Sequence, residues 1–182
     1  GYLYLSHRFG LYSDTMTTET TPTKARGAFT VTSPAFEDNE SIPAMYTCDE
    51  KQVSPPLSFN HAPKGTESIA ILLEDRDVPK SLKPDGVFLH WSMFNIPGST
   101  QELGTGEIAG AEGASGNGIA GYVGPCPPLQ SEPTEHRYYL DAYALDTQLK
   151  LDEGASADDI RAAMDGHVLE QSSLMGRYER RE

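Results

Sequence analysis

"GNGIAGYVGPCPP", residues 116–128, decides between two folds. Its first six residues, Gly116-Asn117-Gly118-Ile119-Ala120-Gly121, have the spacing G-x-G-x-x-G of a dinucleotide-binding turn. That turn works only where a strand enters the glycines and a helix leaves them, so that the helix N-terminus faces a pyrophosphate. The approach, EIAGAEGAS at 107–115, has no run of β-branched or aromatic residues. The exit carries Pro125, Pro127 and Pro128. Proline lacks an N–H and clashes with the preceding turn, so no regular helix leaves here. The stretch is a loop, and the doubly wound α/β fold falls. Its glycines permit positive φ and close backbone approach. What approaches must be read from the flanking chain.

Those flanks read as strands. SIAILL (68–73) and VFLHWSMFNI (87–96) are nearly continuous apolar runs, as in strands covered on both faces. AFTVT (28–32) is short and alternating, and RYYLDAYAL (137–145) is aromatic-rich. SPP at 54–56, APKG at 62–65 and IPG at 96–98 punctuate the gaps. One segment departs from this pattern. Ser156 stands three residues before Asp159, an N-cap signature, and Ile160, Met164, His167 and Val168 follow at helical spacing. The pattern predicts a mainly β fold, an antiparallel β-sandwich with one or two short helices.

The chain has 182 residues, enough for one domain with a real core. No apolar run approaches the ~20 residues of a membrane span. The first fifteen residues lack the continuous apolar core of a secretory signal, and Met16 is a candidate natural start. TTETTPT at 17–23 has little to bury, so residues 1–27 are expected to be a flexible lead-in and 28–182 the domain. A net charge of -13 argues against nucleic acid and anionic membranes as partners. It also fits a salt-loving source, where self-repulsion is screened. Two cysteines, Cys48 and Cys126, form no CxxC motif and no metal-binding pair. Free buried thiols in a reducing cytoplasm are the expectation, with a Cys48–Cys126 disulfide as the alternative.

Candidate chemistry gathers at a few positions. LLEDRDVPK (72–80) puts Asp75 and Asp77 at the mouth of a strand, two apart and so on one side of an extended chain. An ordinary acidic turn would look the same. His90 sits midway along an apolar strand, where an imidazole needs partners for its ring nitrogens. His136 follows the proline loop in EHRYY, while His61 and His167 have no supporting context. Together these residues admit three readings. A zinc or iron site uses allowed ligands, yet the close His spacings of helical zinc motifs are missing. A hydrolase would want a nucleophile, and there is no G-x-S-x-G elbow. A small-anion pocket uses them most naturally: protonated imidazoles donate, carboxylates orient them, and the glycine loop offers backbone N–H groups.

YTCDEKQVSPPLSF (46–59), LLEDRDVP (72–79), FLHWSMFNIPG (88–98), AGYVGPCPP (120–128) and EHRYYLDAYALD (135–146) occur in this order over residues 28–182. In that arrangement the chain resembles the phosphatidylethanolamine-binding protein family, in its prokaryotic Raf-kinase-inhibitor-like branch. The resemblance implies a Greek-key β-sandwich with a small pocket for phosphate-like groups. It places the D-P-D-x-P motif on Asp75, Asp77 and Pro79, and the motif histidine on His90 with Phe88 beside it. Gly124 to Pro128 take the G-P-C-P-P loop, and His136, Arg137 and Tyr138 the H-R-Y motif. The implied ligand set is Asp75, Asp77, Phe88, His90, Gly124, Pro128, His136 and Tyr138. Four departures stand out: Arg76 for a proline, expected to add a cation at the mouth; Glu135 before His136, expected to add a negative charge beside it; Glu50 for a glycine; and Phe59 for a tryptophan.

The expectation is a non-enzymatic, cytoplasmic protein that binds a small anionic ligand and needs no cofactor. A modulator of a kinase or serine protease is the runner-up, and a hydrolase the third reading. A homodimer is the oligomer considered.

Overall fold

A computed structural model describes residues 27–180. The lead-in expected over 1–27 lies outside the described residues, apart from Gly27. Strands dominate: β1 (Thr30–Thr32), β2 (Glu40–Ser41), β3 (Leu57–Asn60), β4 (Ser68–Asp75), β5 (Phe88–Pro97), β6 (Glu102–Leu103), β7 (Ala111–Glu112), β8 (Glu135–Leu145) and β9 (Val168–Glu179). Among the described residues one helix, α1 (Ala157–Met164), and a 3-10 turn at Ala44–Tyr46 complete the order.

The strands form two sheets. One has the order β1-β3-β6, the other β2-β9-β8-β4-β5-β7. Strand β8 returns beside β4 rather than beside β5, the out-of-order return expected of a Greek key. All pairings are antiparallel except β2 with β9.

Both apolar runs are covered on two faces, as their composition requires. Alternate residues Ile69, Ile71 and Leu73 of β4 join Trp91, Met93, Leu140 and Leu174 in a core that also holds Val31, Leu57 and Phe59 of the small sheet. The intervening Ala70 and Leu72 face Phe94, Leu145 and the α1 residues Ile160 and Met164. Burying each such aliphatic side chain contributes about 1.5–3 kcal/mol. Phe59 lies in the inter-sheet core and Glu50 in an exposed turn, so these two departures are a packing and a turn change.

The helix starts where its cap motif places it. Ser156 Oγ accepts from the Asp159 N–H at 3.1 Å and donates to Asp159 Oδ2 at 2.6 Å. Ser156→Ala is expected to cost about 1 kcal/mol in urea denaturation. The helix ends at Met164, before the expected His167 and Val168. Gly166 takes a φ of 77°, which breaks the helical path, and Val168 opens β9. That last strand was not legible. VLEQSSLMGRYE carries few apolar residues and forms because β8 pairs along nearly its whole length.

Two irregularities shape the site. In β5, Leu89 pairs with Glu74 and Trp91 with Leu73, so His90 is the extra residue of a β-bulge. A bulge re-aims the side chain it carries.

The other is covalent. Cys48 and Cys126 are disulfide-bonded, with Cα atoms 5.4 Å apart, which corrects the expectation of free thiols. The sequence offered no contact information across 78 residues; the fold brings the 3-10 turn beside the proline loop.

Candidate functional site

Sheet register assembles the site. Asp75 of β4 lies opposite Phe88 of β5 on one side and Tyr138 of β8 on the other. Directly opposed residues in an antiparallel pair share a face. His136, two residues before Tyr138, shares it by the strand period, and the bulge turns His90 toward it. The result is a cavity of about 200 Å³ lined by Asp75, Val78, Phe88, His90, Val123, Cys126, Pro128 and His136.

The Asp75–His136 pair is buried, with side chains 5% and 1% exposed. His136 Nδ1–H donates to Asp75 Oδ2 at 2.6 Å, and Asp75 Oδ1 accepts from the Asp77 N–H at 2.9 Å. Burial alone would discharge the imidazole. The hydrogen bond and charge of Asp75, the charge of Asp77 and the nearby backbone of Pro133 outweigh it, and the pKa of His136 is raised. A charged ring carries a proton on both nitrogens, and His136 Nε2 is buried without a hydrogen-bond partner.

His90 differs. Its Nδ1–H donates to the Val123 carbonyl at 2.8 Å, and burial lowers its pKa despite that bond and the charge of Asp75. The ring is therefore neutral, with Nε2 as its acceptor. This corrects the expectation of two charged donors. Phe88 packs edge-on against His90, with ring centroids 4.8 Å apart.

Three residues of the expected ligand set fall outside the lining. Asp77 has left the strand, and Arg137 claims its carboxylate through its N–H, Nε and Nη2 at 2.7–2.9 Å. Those bonds hold Asp77 below the usual carboxylate range. Tyr138 is fully buried behind the two histidine rings; burial and the charge of Asp75 raise its pKa, and its hydroxyl has no partner. Gly124 serves packing. A Cβ there would lie 2.8 Å from Gln52 Cγ and 3.0 Å from the Tyr46 carbonyl oxygen.

The opening glycines now have their explanation. A Cβ at Gly116 would lie 2.6 Å from the Phe88 ring, so the loop passes close behind a cavity wall. Gly118 and Gly121 take φ of 79° and 110° in the turn that follows. Two departures take a different place from the one expected. Arg76 turns away from the cavity, pairing with Asp141 and Glu74 over the Tyr139 ring. Glu135 pairs with Arg177 on the outer face. The contributions of Val78, Val123 and Cys126 went unread, because a backbone carbonyl or a small apolar wall leaves no chemical signature in a sequence.

Among the described residues no group of three or more His, Cys, Asp or Glu could hold a metal ion. None of their helices is long and apolar enough to cross a membrane.

The sequence profile of the phosphatidylethanolamine-binding protein matches residues 32–179. The chain belongs to the phosphatidylethanolamine-binding protein family. A UPF0098 protein of Chlamydia trachomatis is 40% identical over 82% of this chain and 98% of its own length. One from Methanothermobacter thermautotrophicus is 40% identical over 80% and 95%. The solved structure of a phosphatidylethanolamine-binding protein homologue from Chlamydia trachomatis superposes with a TM-score of 0.81 at 39% identity, over 85% of this chain and 99% of that one. Escherichia coli YbcL shares the fold, with a TM-score of 0.75 at 24% identity over 85% of this chain and 100% of that one. Membership in this family supports ligand binding as the general role.

Proposed function

We propose that this member of the phosphatidylethanolamine-binding family holds a small oxoanion in the Asp75–His136 cavity and does not turn it over. One observation carries the reading: His136 Nε2 is buried without a partner in a residue that lines the cavity, while Asp75 fixes Nδ1. A buried donor left unsatisfied costs about 1–3 kcal/mol, more when charged, and an oxyanion would recover it. Asp75 itself is acceptor-only when ionised and would repel an anion, but its carboxylate is occupied by His136 and the Asp77 N–H. His90 Nε2 adds an acceptor, suited to an anion that keeps a P–OH or carries an ammonium group.

Sulfate calorimetry tests this, because sulfate keeps its charge across the working range. Binding needs the His136 proton. Since the folded pKa is raised above the ordinary histidine value of ~6.5, affinity is expected to be full below ~6.5 and to fall as pH rises through the folded value. His136→Ala is expected to abolish measurable sulfate binding. Equal affinity in the variant, or an affinity that climbs with pH, sinks the proposal.

A further inference from the structure

The loop that walls the cavity is tied to the molecule by a covalent bond between an exposed and a half-buried cysteine. Cys126 lines the cavity and is exposed, while Cys48 is half-buried just after the 3-10 turn. Alongside the bond run hydrogen bonds from the Cys48 N–H to the Pro125 carbonyl at 3.1 Å, from the Gly124 N–H to Gln52 Oε1 at 3.1 Å, and from the Tyr122 hydroxyl to the Tyr46 carbonyl at 2.6 Å. Pro125, Pro127 and Pro128 have no N–H to donate, so these three residues add no backbone donor of their own to the tie.

The same loop sets the chemistry of His90. Val123 accepts from His90 Nδ1–H and donates its own N–H to the His90 carbonyl, both at 2.8 Å. The disulfide, the loop path, the His90 tautomer and the cavity wall are therefore mechanically continuous.

We propose that the Cys48–Cys126 bond is a reductant-accessible latch: the oxidised protein holds the cavity closed around its ligand, and reduction frees the loop and releases the ligand. The ligand part rests on the anion-binding reading above. The reductant is a dithiol, which supplies both electrons. One of its thiolates attacks the Sγ of Cys126, the more exposed of the two cysteines, forming a mixed disulfide and expelling Cys48 as thiolate. Its second thiolate then attacks the reductant sulfur of that mixed disulfide, closing the reductant's own disulfide and releasing Cys126 as thiolate. The two protons given up by the dithiol end on the two cysteines. Exposed disulfides are the ones that exchange readily, whereas buried structural ones resist.

The test compares the whole chain oxidised, reduced with dithiothreitol, and as Cys48→Ser/Cys126→Ser. Amide hydrogen exchange reads the loop, sulfate calorimetry reads the cavity, and far-UV circular dichroism reads the fold. In both bond-free states the amides of Val123, Gly124 and position 126 are expected to exchange faster while β4 and β8 stay protected. Sulfate should bind about tenfold more weakly, as when the competent loop conformation falls to a tenth of the population. Unchanged loop exchange, measurable sulfate binding of equal affinity in all three states, or unfolding of the whole chain on reduction overturns the latch. Faster loop exchange in a protein that never binds sulfate refutes the anion reading instead and leaves the latch standing.

Discussion

Asp75→Ala is expected to lower the unfolding free energy by about 3–5 kcal/mol below pH ~6.5, where His136 is charged, the range found when one partner of a buried ion pair is removed. Asp75 is 4% exposed and accepts from both His136 Nδ1–H and the Asp77 N–H. Without it the imidazolium loses its counter-charge, and the Asp77 amide loses its acceptor. The ring can escape by giving up its proton, which caps the loss. Asp77→Ala is the contrasting control. Its ion pair with Arg137 faces water, with Arg137 50% exposed, so its loss is expected to cost about 1 kcal/mol or less. The sign of the pH dependence follows from the raised pKa of His136. Its charged-pair stabilisation is fully present below the unfolded histidine value of ~6.5 and is lost as pH rises through the folded value. The gap between wild type and Asp75→Ala should therefore narrow in alkaline urea titrations. A gap that widens with pH would mean His136 is neutral in the fold.

Cys48→Ser/Cys126→Ser should cost about 4–5 kcal/mol by chain entropy, because the bridge spans 78 residues. The effect acts mainly on the unfolded chain, which expands when the tie is gone. The urea m-value should rise with the loss, since more surface is then exposed on unfolding. A smaller midpoint with an unchanged m-value would place the effect in the folded state instead.

The fold was legible in its long apolar strands because burial on both faces writes a continuous hydrophobic run, as in 68–73 and 87–96. The helix start at Ser156 was legible because capping is local. Strand β9 was not, since its strand character comes from its pairing with β8 rather than from its own residues. The candidate site divides the same way. Asp75, Phe88, His90, Pro128 and His136 were named from motif and strand position, and all line one cavity. Gly124 and Tyr138 carry the same motifs, yet one packs against the 46–52 turn and the other lies beneath the rings. The side taken by Glu135 follows from strand alternation once β8 is known to begin there, and that of Arg76, just beyond the end of β4, from its pairing with Asp141 and Glu74. The charge of each histidine is a property of its partner: a carboxylate for His136, a carbonyl for His90. Carboxylates were expected to orient both rings; that only His136 takes one, and His90 a carbonyl, is decided by the fold.

The proposed site stands or falls on whether His136 presents a protonated Nε2 to a small anion while His90 stays neutral. Long-range ¹H–¹⁵N correlation of the histidine rings reads both states directly at the ordinary histidine value of pH ~6.5, with and without sulfate. The expected spectrum has imidazolium nitrogen shifts for His136, a neutral ring protonated on Nδ1 for His90, and a sulfate-dependent shift at His136 Nε2. A neutral His136, or a His136 Nε2 that does not respond to saturating sulfate, would contradict it.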